Sequence, residues 1–366
     1  MGLTMERQEF IALMTDAMRG EVGEDVFGGR LAPGRVKSRL LEAHPVEYSS
    51  DGAATLLRSI GDRLGARVDA AGESLWTLTT NEHVFFVDSL NTRFWLLHTT
   101  APANVVRRLV RRELLTDARL DTAWLPSDQL NQFEGQRHWV KSSFTSDELL
   151  PVRGDAAGPT RRWRVQVEGD APEALLNLVR TDPRFASAAS LTAVGSWLRE
   201  AGIGEASVIA DYRGGFVATG TSFELVAGAL WRTLDRYEAY VRSLEATYQL
   251  RAERVGELGL TIDGDVAVID FPRPLADLDR FVAGLFTSKE PFRLWGLPRQ
   301  VDDAQWEANA VDLHVGQTLR LEVTPGWLRV LLGEHTCGNT LARLITNLQH
   351  RFDAEARLAE TAPAAA

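Results

Sequence analysis

The chain has 366 residues, a net charge of −10, 45% hydrophobic and 25% charged residues, and one cysteine. That length exceeds one ordinary core and suits two or three domains of about 100–150 residues. The acidic balance excludes an overall electrostatic pull toward nucleic acid or anionic lipid, no apolar run approaches the roughly 18 residues of a membrane span, and Cys337 alone excludes an internal disulfide or a site of several thiolates.

Residues 1–44 read as a helical N-terminal segment. Glu6–Met18 has helical periodicity, GEDVFGGRLAPG breaks it, and Val36–Ala43 resumes it until His44 and Pro45 end the helix. The first residues carry acids and lack an apolar signal core, so secretion is not expected and cytoplasmic residence is. A first α+β module is expected over 45–150. It begins with a strand at Val46–Ser49 and a helix at Asp51–Leu64, with Leu56, Leu57, Ile60 and Leu64 on one face. Strands follow at Leu75–Thr80, Val84–Asp88 and Arg93–His98, then a helix from Pro102 to Leu115. Gly, Pro, Asp and Ala cluster over 151–161, which reads as a linker.

A second module is expected over 162–255. Apolar and polar residues alternate strictly in Arg162–Glu168, the pattern of a half-buried strand. A helix at Pro172–Val179 and strands at Leu191–Leu198, Ser207–Tyr212 and Phe216–Thr219 lead to a long helix. Thr221 and Glu224 fit a capping box at its start, and it runs toward Arg254. The third module, 256–358, repeats the order: strand Val266–Phe271, helix Leu275–Phe286, strands Phe292–Leu297, Thr318–Val323 and Trp327–Leu332, and a closing helix from Asn339 to Leu358. Residues 359–366 read as a tail without fixed structure.

Each module passes from its last strand through a Thr/Gly/Asn-rich turn into an amphipathic helix, in Arg93–Leu115, Gly215–Arg242 and Trp327–Phe352. Repetition of this kind points to a repeated supersecondary unit. The expected fold class is α+β: three tandem β-α-β(n)-α modules with antiparallel sheets. This element order resembles the unit of the TATA-binding-protein-like, or helix-grip, folds. The resemblance implies curved sheets that each grip a helix on one face, and it implies no activity.

Motif chemistry is sparse. The sequence carries no Walker loop, zincin helix or nucleophile elbow at a strand–helix junction, so no catalytic residue, cofactor or metal ligand is assigned. His335 and Cys337 form an H-x-C pair ahead of the last helix. A lowered thiol pKa there would make a nucleophile with a neighbouring base, and His314 or His350 would complete a metal set. A lone cysteine is more often a small buried hydrophobe, and Cys337 is read as structural. The acidic pairs Asp302/Asp303, Asp277/Asp279 and Asp263/Asp265 read as solvated surface.

The binding signals lie in the first module. Arg107, Arg108, Arg111 and Arg112 form one stripe of a helix whose Val106, Leu109, Val110 and Leu114 face the other way. Elsewhere arginine is weak evidence of phosphate recognition, because the alanine and arginine content with only Lys37, Lys141 and Lys289 as lysines suits a GC-rich bacterial source. Trp76, Trp95, Trp163, Trp295 and Trp327 fall in predicted strands, where exposed aromatics stack bases or anchor a protein partner. Arg107, Arg108, Arg111, Arg112, Trp76 and Trp95 are taken as the candidate binding surface. The expected function is a non-enzymatic protein-interaction or adaptor protein. The alternatives are nucleic-acid binding through the first module and an enzyme with a site between modules.

Overall fold

The computed structural model describes residues 5–21, 31–43, 50–80, 82–145, 162–169, 172, 174, 177, 178, 181, 189–255 and 259–359. The expected strand at Val46–Ser49, the 151–161 linker, most of the Pro172–Val179 helix and the tail from 360 onward lie outside these residues.

Helix α1, Arg7–Arg19, begins in a reciprocal capping box between Glu6 and Glu9 and stops at Gly20, whose φ of 84° needs no Cβ. The expected second helix of this segment is instead a strand, β1, Val36–Ala43. Its LLEA run favours helix locally, but its pairing decides the outcome. β1 is hydrogen-bonded to β5 (Phe94–Thr99) on one side and to β11 (Gly215–Gly220) and the short β6 (Leu120–Thr122) on the other. Its alternate residues serve two cores, Val36 and Leu40 in one and Leu41 and Ala43 in the other.

β1 thereby joins the strands expected in the first and second modules into one sheet. Its remaining members are β2 (Arg67–Gly72), β3 (Leu75–Thr79), β4 (Val84–Asp88), β7 (Gln136–Thr145), β8 (Arg162–Glu168), β9 (Ala189–Glu200) and β10 (Gly204–Asp211). The order is β2-β3-β4-β5-β1-β11-β10-β9-β7-β8, antiparallel throughout. A second sheet holds β12 (Gln249–Val255), β13 (Gly259–Asp263), β14 (Ala267–Asp270), β15 (Leu294–Asp302), β16 (Gln305–Asp312), β17 (Thr318–Val323), β18 (Trp327–Gly333) and β19 (Arg357–Leu358). It is ordered β13-β12-β18-β17-β16-β15, with β14 also on β18. β2, β6, β7, β12, β13 and β16 were not among the predicted elements, and the expected closing helix to Leu358 instead ends at Arg351, with Arg357–Leu358 paired to β14 as β19.

All three expected strand-to-helix junctions form. β5 leads into α3 (Ala103–Arg108), which continues as a π-helical turn over Leu109–Leu114. β11 leads into α5 (Phe223–Tyr248) and β18 into α7 (Gly338–Arg351). The cap of α5 is Ser222, which accepts from the Leu225 N–H, rather than Thr221. The helix also stops at Tyr248 and the chain continues as β12, because β12 finds β13 and β18 as partners. α2 (Ser50–Leu64), α4 (Ser127–Asn131) and α6 (Leu278–Leu285) complete the described helices. None of the described helices is long and apolar enough to cross a membrane.

One core joins both sheets to α1, α5, α6 and α7. The other packs α2, α3 and the π turn on the opposite face of β1, β4 and β5. His98 of β5 sits in the first, against Phe10 and Phe223 at ring distances of 5.6 and 5.5 Å, with Ser38 Oγ 2.8 Å from its Nδ1. Burial pushes its pKa from 6.5 down to about 4. The unfolded chain therefore binds this proton first. Stability is complete above pH 6.5, falls between 6.5 and 4, and is flat below. The loss amounts to about 3 kcal/mol. Urea unfolding of wild type and His98→Gln at pH 7 and pH 4 is expected to show a smaller drop in the variant by about that amount; equal drops would assign the pH dependence elsewhere.

Candidate functional site

The polar stripe of α7 defines the site. Asn339, Arg343, Asn347 and His350 recur at helical spacing, a pattern usual for a solvent face. Here every residue of the helix except Gln349 and Arg351 is buried. Buried polar groups need partners, and the partners of the N-terminal half come from all three predicted segments.

Arg343, fully buried, is held between Asp121 of β6 and Asp312 of β16, both buried. Thr340 also donates to Asp312, and Arg293 lies 3.3 Å from Asp121 and donates to the Leu120 carbonyl at 3.0 Å. Burial penalises the Asp121 charge, but Arg343 and Arg293 more than offset this and hold its pKa low. The same balance of burial against Asp312 and Asp121 leaves Arg343 above its ordinary value. Asn339 donates to the Thr122 carbonyl at 3.2 Å and accepts from Tyr237, whose hydroxyl accepts from the Trp124 N–H at 2.8 Å.

A second cluster lies at the N-terminus of α7. Glu42 and Asp121 face each other across β1 and β6, so their side chains share one face of the sheet. Glu42 Oε1 accepts from Arg93 Nε at 2.7 Å, and Arg93 reaches Glu245 of α5 through two bonds of 2.9 and 2.5 Å. Burial opposes the Arg93 charge, yet Glu42 and Glu245 hold its pKa far above the ordinary value. Glu245 also accepts from the Gly338 N–H at 2.8 Å, placing a carboxylate at the positive end of α7. Cys337 Sγ lies 3.1 and 3.2 Å from the two Glu42 oxygens and 3.4 Å from Arg93 Nη2. Burial first, and Glu42 second, push this thiol's pKa well up.

His314 completes the cluster from the loop between β16 and β17. Its Nε2 is 3.2 Å from Glu42 Oε2, and its Nδ1 is 2.9 Å from the Ala118 carbonyl. The Val315 N–H donates to that same carbonyl at 2.9 Å. Val315 has φ of 70°, a left-handed conformation that costs a β-branched residue about 1–2 kcal/mol. Arg293, preceding β15, also has positive φ, 53°. Strained backbone of this kind persists only where the surroundings over-determine it, and it gathers at functional sites.

Of the residues weighed around Cys337, the structure brings in His314 alone. His335 is exposed, and His350 lies 3.0 Å from Ser190 Oγ with its ring 3.8 Å from Tyr212. Glu42, Arg93, Asp121, Glu245, Asp312 and Arg343 were not singled out from the sequence. The available signal was in α7, whose polar positions include no acid to pair with Arg343, unlike a salt-laced solvent face.

The proposed surface residues divide. Arg107, Arg108, Arg111 and Arg112 are all exposed, and Arg111 lies 3.8 Å from Glu290. Trp95 must be corrected: it is 1% exposed and packs between the sheet and the α2 and π-turn side chains, because β5 has covered faces on both sides. Trp76 is half-buried and its indole donates to Ser89 at 3.1 Å. Among the described residues, the aromatic that does reach solvent is Trp295, on the edge strand β15.

The chain belongs to the MJECL33-like protein family, whose profile matches residues 5–364. It is 26% identical over 313 residues to the uncharacterized protein MJECL33 of Methanocaldococcus jannaschii, covering 75% of this chain and 76% of that protein. No solved structure matches the chain.

Proposed function

We propose that this chain is a non-enzymatic interaction protein, an adaptor that takes a strand of its protein partner along β15. The reading is carried by one observation. Trp295, Leu297 and Val301 are 51%, 76% and 47% exposed on a strand that, among the described residues, is bonded only to β16. An edge strand presents unpaired N–H and C=O groups, and most soluble proteins shield it with charge or shortness. β15 is nine residues long, and Pro298, Arg299 and a bulge between Gln300 and Asp302 shield its second half, leaving the Trp295–Leu297 end open. Strand addition supplies main-chain hydrogen bonds for affinity, and alternate side chains such as Trp295 and Leu297 supply specificity. Arg299 of β15 and Arg320 and Arg329 of the neighbouring strands pair with Glu307 and Glu322, so Trp295 and Leu297 are an apolar end to an otherwise charged sheet face.

In this reading the tandem helix-grip-like modules are the scaffold, working in the cytoplasm. The buried charged cluster braces them, and its lack of exposure supports that role over catalysis. Leu297→Lys and Trp295→Lys are expected to weaken partner capture from the native cell by roughly 30-fold or more, the cost of a hot spot. Exposed positions of this kind shift folding stability by less than about 0.5 kcal/mol. Equal capture by wild type and both variants would place the partner surface elsewhere.

A second reading rests on the exposure of Arg107, Arg108, Arg111 and Arg112 along one helical segment. If the partner is nucleic acid, contacts to about four phosphates give a log–log salt slope of roughly −3 to −4. Fluorescence anisotropy with duplex and single-stranded oligonucleotides measures it. Changing all four arginines to glutamine is expected to abolish the binding with the fold unchanged. Binding that survives the change rules out this surface.

A further inference from the structure

We propose that Glu42, His314 and Cys337 form a binding site for one divalent transition-metal ion of the zinc class, tying together β1, the β16–β17 loop and the N-terminus of α7. One oxygen, one nitrogen and one sulfur donor, all from buried residues, lie within 4.8 Å of one another. Imidazole, thiolate and carboxylate together suit zinc and its borderline neighbours, whereas magnesium and calcium take oxygen ligands.

The hydrogen-bond geometry supplies independent support. The Ala118 carbonyl only accepts, so His314 Nδ1 carries a proton and Nε2 is the ring's remaining lone pair in the neutral form. That lone pair faces Glu42 Oε2, another acceptor, at 3.2 Å. A positive charge between them, a proton or a metal ion, stabilises this approach. A ring N–H donated to a backbone carbonyl is also the arrangement that orients metal-bound histidines. The donor positions fit the size of the ion. Bonds of about 2.0–2.3 Å at tetrahedral angles set ligands roughly 3.4–3.6 Å apart. Glu42 Oε2 lies 3.2 Å from both Cys337 Sγ and His314 Nε2, a few tenths short of that spacing, and the sulfur and the ring nitrogen lie within 4.8 Å of each other.

Charge points the same way. Among the described residues, the connected clusters contain four carboxylates, Glu42, Glu245, Asp121 and Asp312. Against them stand three guanidiniums, Arg93, Arg293 and Arg343. The difference is one negative charge, and loss of the Cys337 thiol proton on metal uptake makes it two, which a divalent ion neutralises. Metal uptake then forms the sulfur–metal bond and releases the thiol proton to water. Arg93 stays compatible with the ion because Glu245 neutralises it, while its N–H reaches the sulfur at 3.4 Å. The three ligands leave one tetrahedral position for water or another donor.

The test uses the full chain, stripped with a chelator, reloaded with Zn²⁺ or Co²⁺ and dialysed. Mass spectrometry of the metal content is expected to give one ion per chain. The cobalt form is expected to show a thiolate-to-cobalt charge-transfer band and a raised melting temperature. Cys337→Ser removes the band, and His314→Asn weakens binding by more than about 100-fold, beyond the cost of disturbing an outer-shell partner. His335→Ala keeps both band and stoichiometry, which separates this site from the adjacent H-x-C pair. If a ligand variant fails to fold, reversible loss and return of the band on chelation and reloading of the wild type carry the test. A wild type that holds no ion after dialysis overturns the proposal, as does binding without a thiolate band.

Discussion

Arg343→Leu is expected to lower the unfolding free energy by about 3–5 kcal/mol, the cost of removing one partner from a buried ion cluster. The guanidinium is completely buried between Asp121 and Asp312. Without it both carboxylates remain inside the protein with less compensation, and Arg293 reaches Asp121 only. The penalty is thus uncompensated charge, far more than the lost packing of the side chain. Urea denaturation at neutral pH measures it. Arg343→Lys is expected to lose less, since it keeps the charge and gives up only the two-pronged geometry. A loss below about 1 kcal/mol for Arg343→Leu would mean that the carboxylates are solvated or neutral in the folded protein.

Phe223→Ala is expected to cost about 3–5 kcal/mol through the cavity it opens. Phe223 begins α5 with no exposure, edge-on to Phe10 of α1 and to His98 of β5, at ring distances of 5.8 and 5.5 Å. Its backbone N–H is also bonded to Thr15 Oγ1 at 3.1 Å, so three elements meet at this one residue. Leu297→Ala removes a similarly apolar group, but from solvent, and is expected to change stability by less than about 0.5 kcal/mol. The same denaturation series reads both variants. Comparable losses would contradict the burial assigned to these two positions.

The legible parts of the fold were those whose signal is local. Val84–Asp88, Arg162–Glu168 and Thr318–Val323 form strands with the predicted bounds, since a short β-prone run in the first and alternation in the other two need no knowledge of the partner strand. The three strand-to-helix junctions were visible for the same reason. β1 was not, because its helix-favouring LLEA is overruled by pairing with β5 and β11, which are distant in sequence. β12 was absorbed into the predicted long helix for a related reason: its partners β13 and β18 follow it in the chain. The buried cluster was hidden more deeply. Glu42 lay in an expected helix, and Arg343 looked solvated until both sheets enclosed α7. Cys337 was flagged with the neighbouring His335, whereas its partner in space is Glu42, 295 positions away. His314 was considered near Cys337 only as one of two distant histidines. Trp95 misled because an aromatic on a strand reads the same whether its face is open or covered by α2 and the π turn.

Hydrogen–deuterium exchange of the chain, free and bound to its captured partner, tests the docking reading most directly. β15 is expected to gain the largest protection on binding, since a partner strand would satisfy its outward-facing amides, while Arg107–Arg112 and the already bonded central strands β1 and β11 change little. Protection that leaves β15 unchanged and falls on another surface would contradict it.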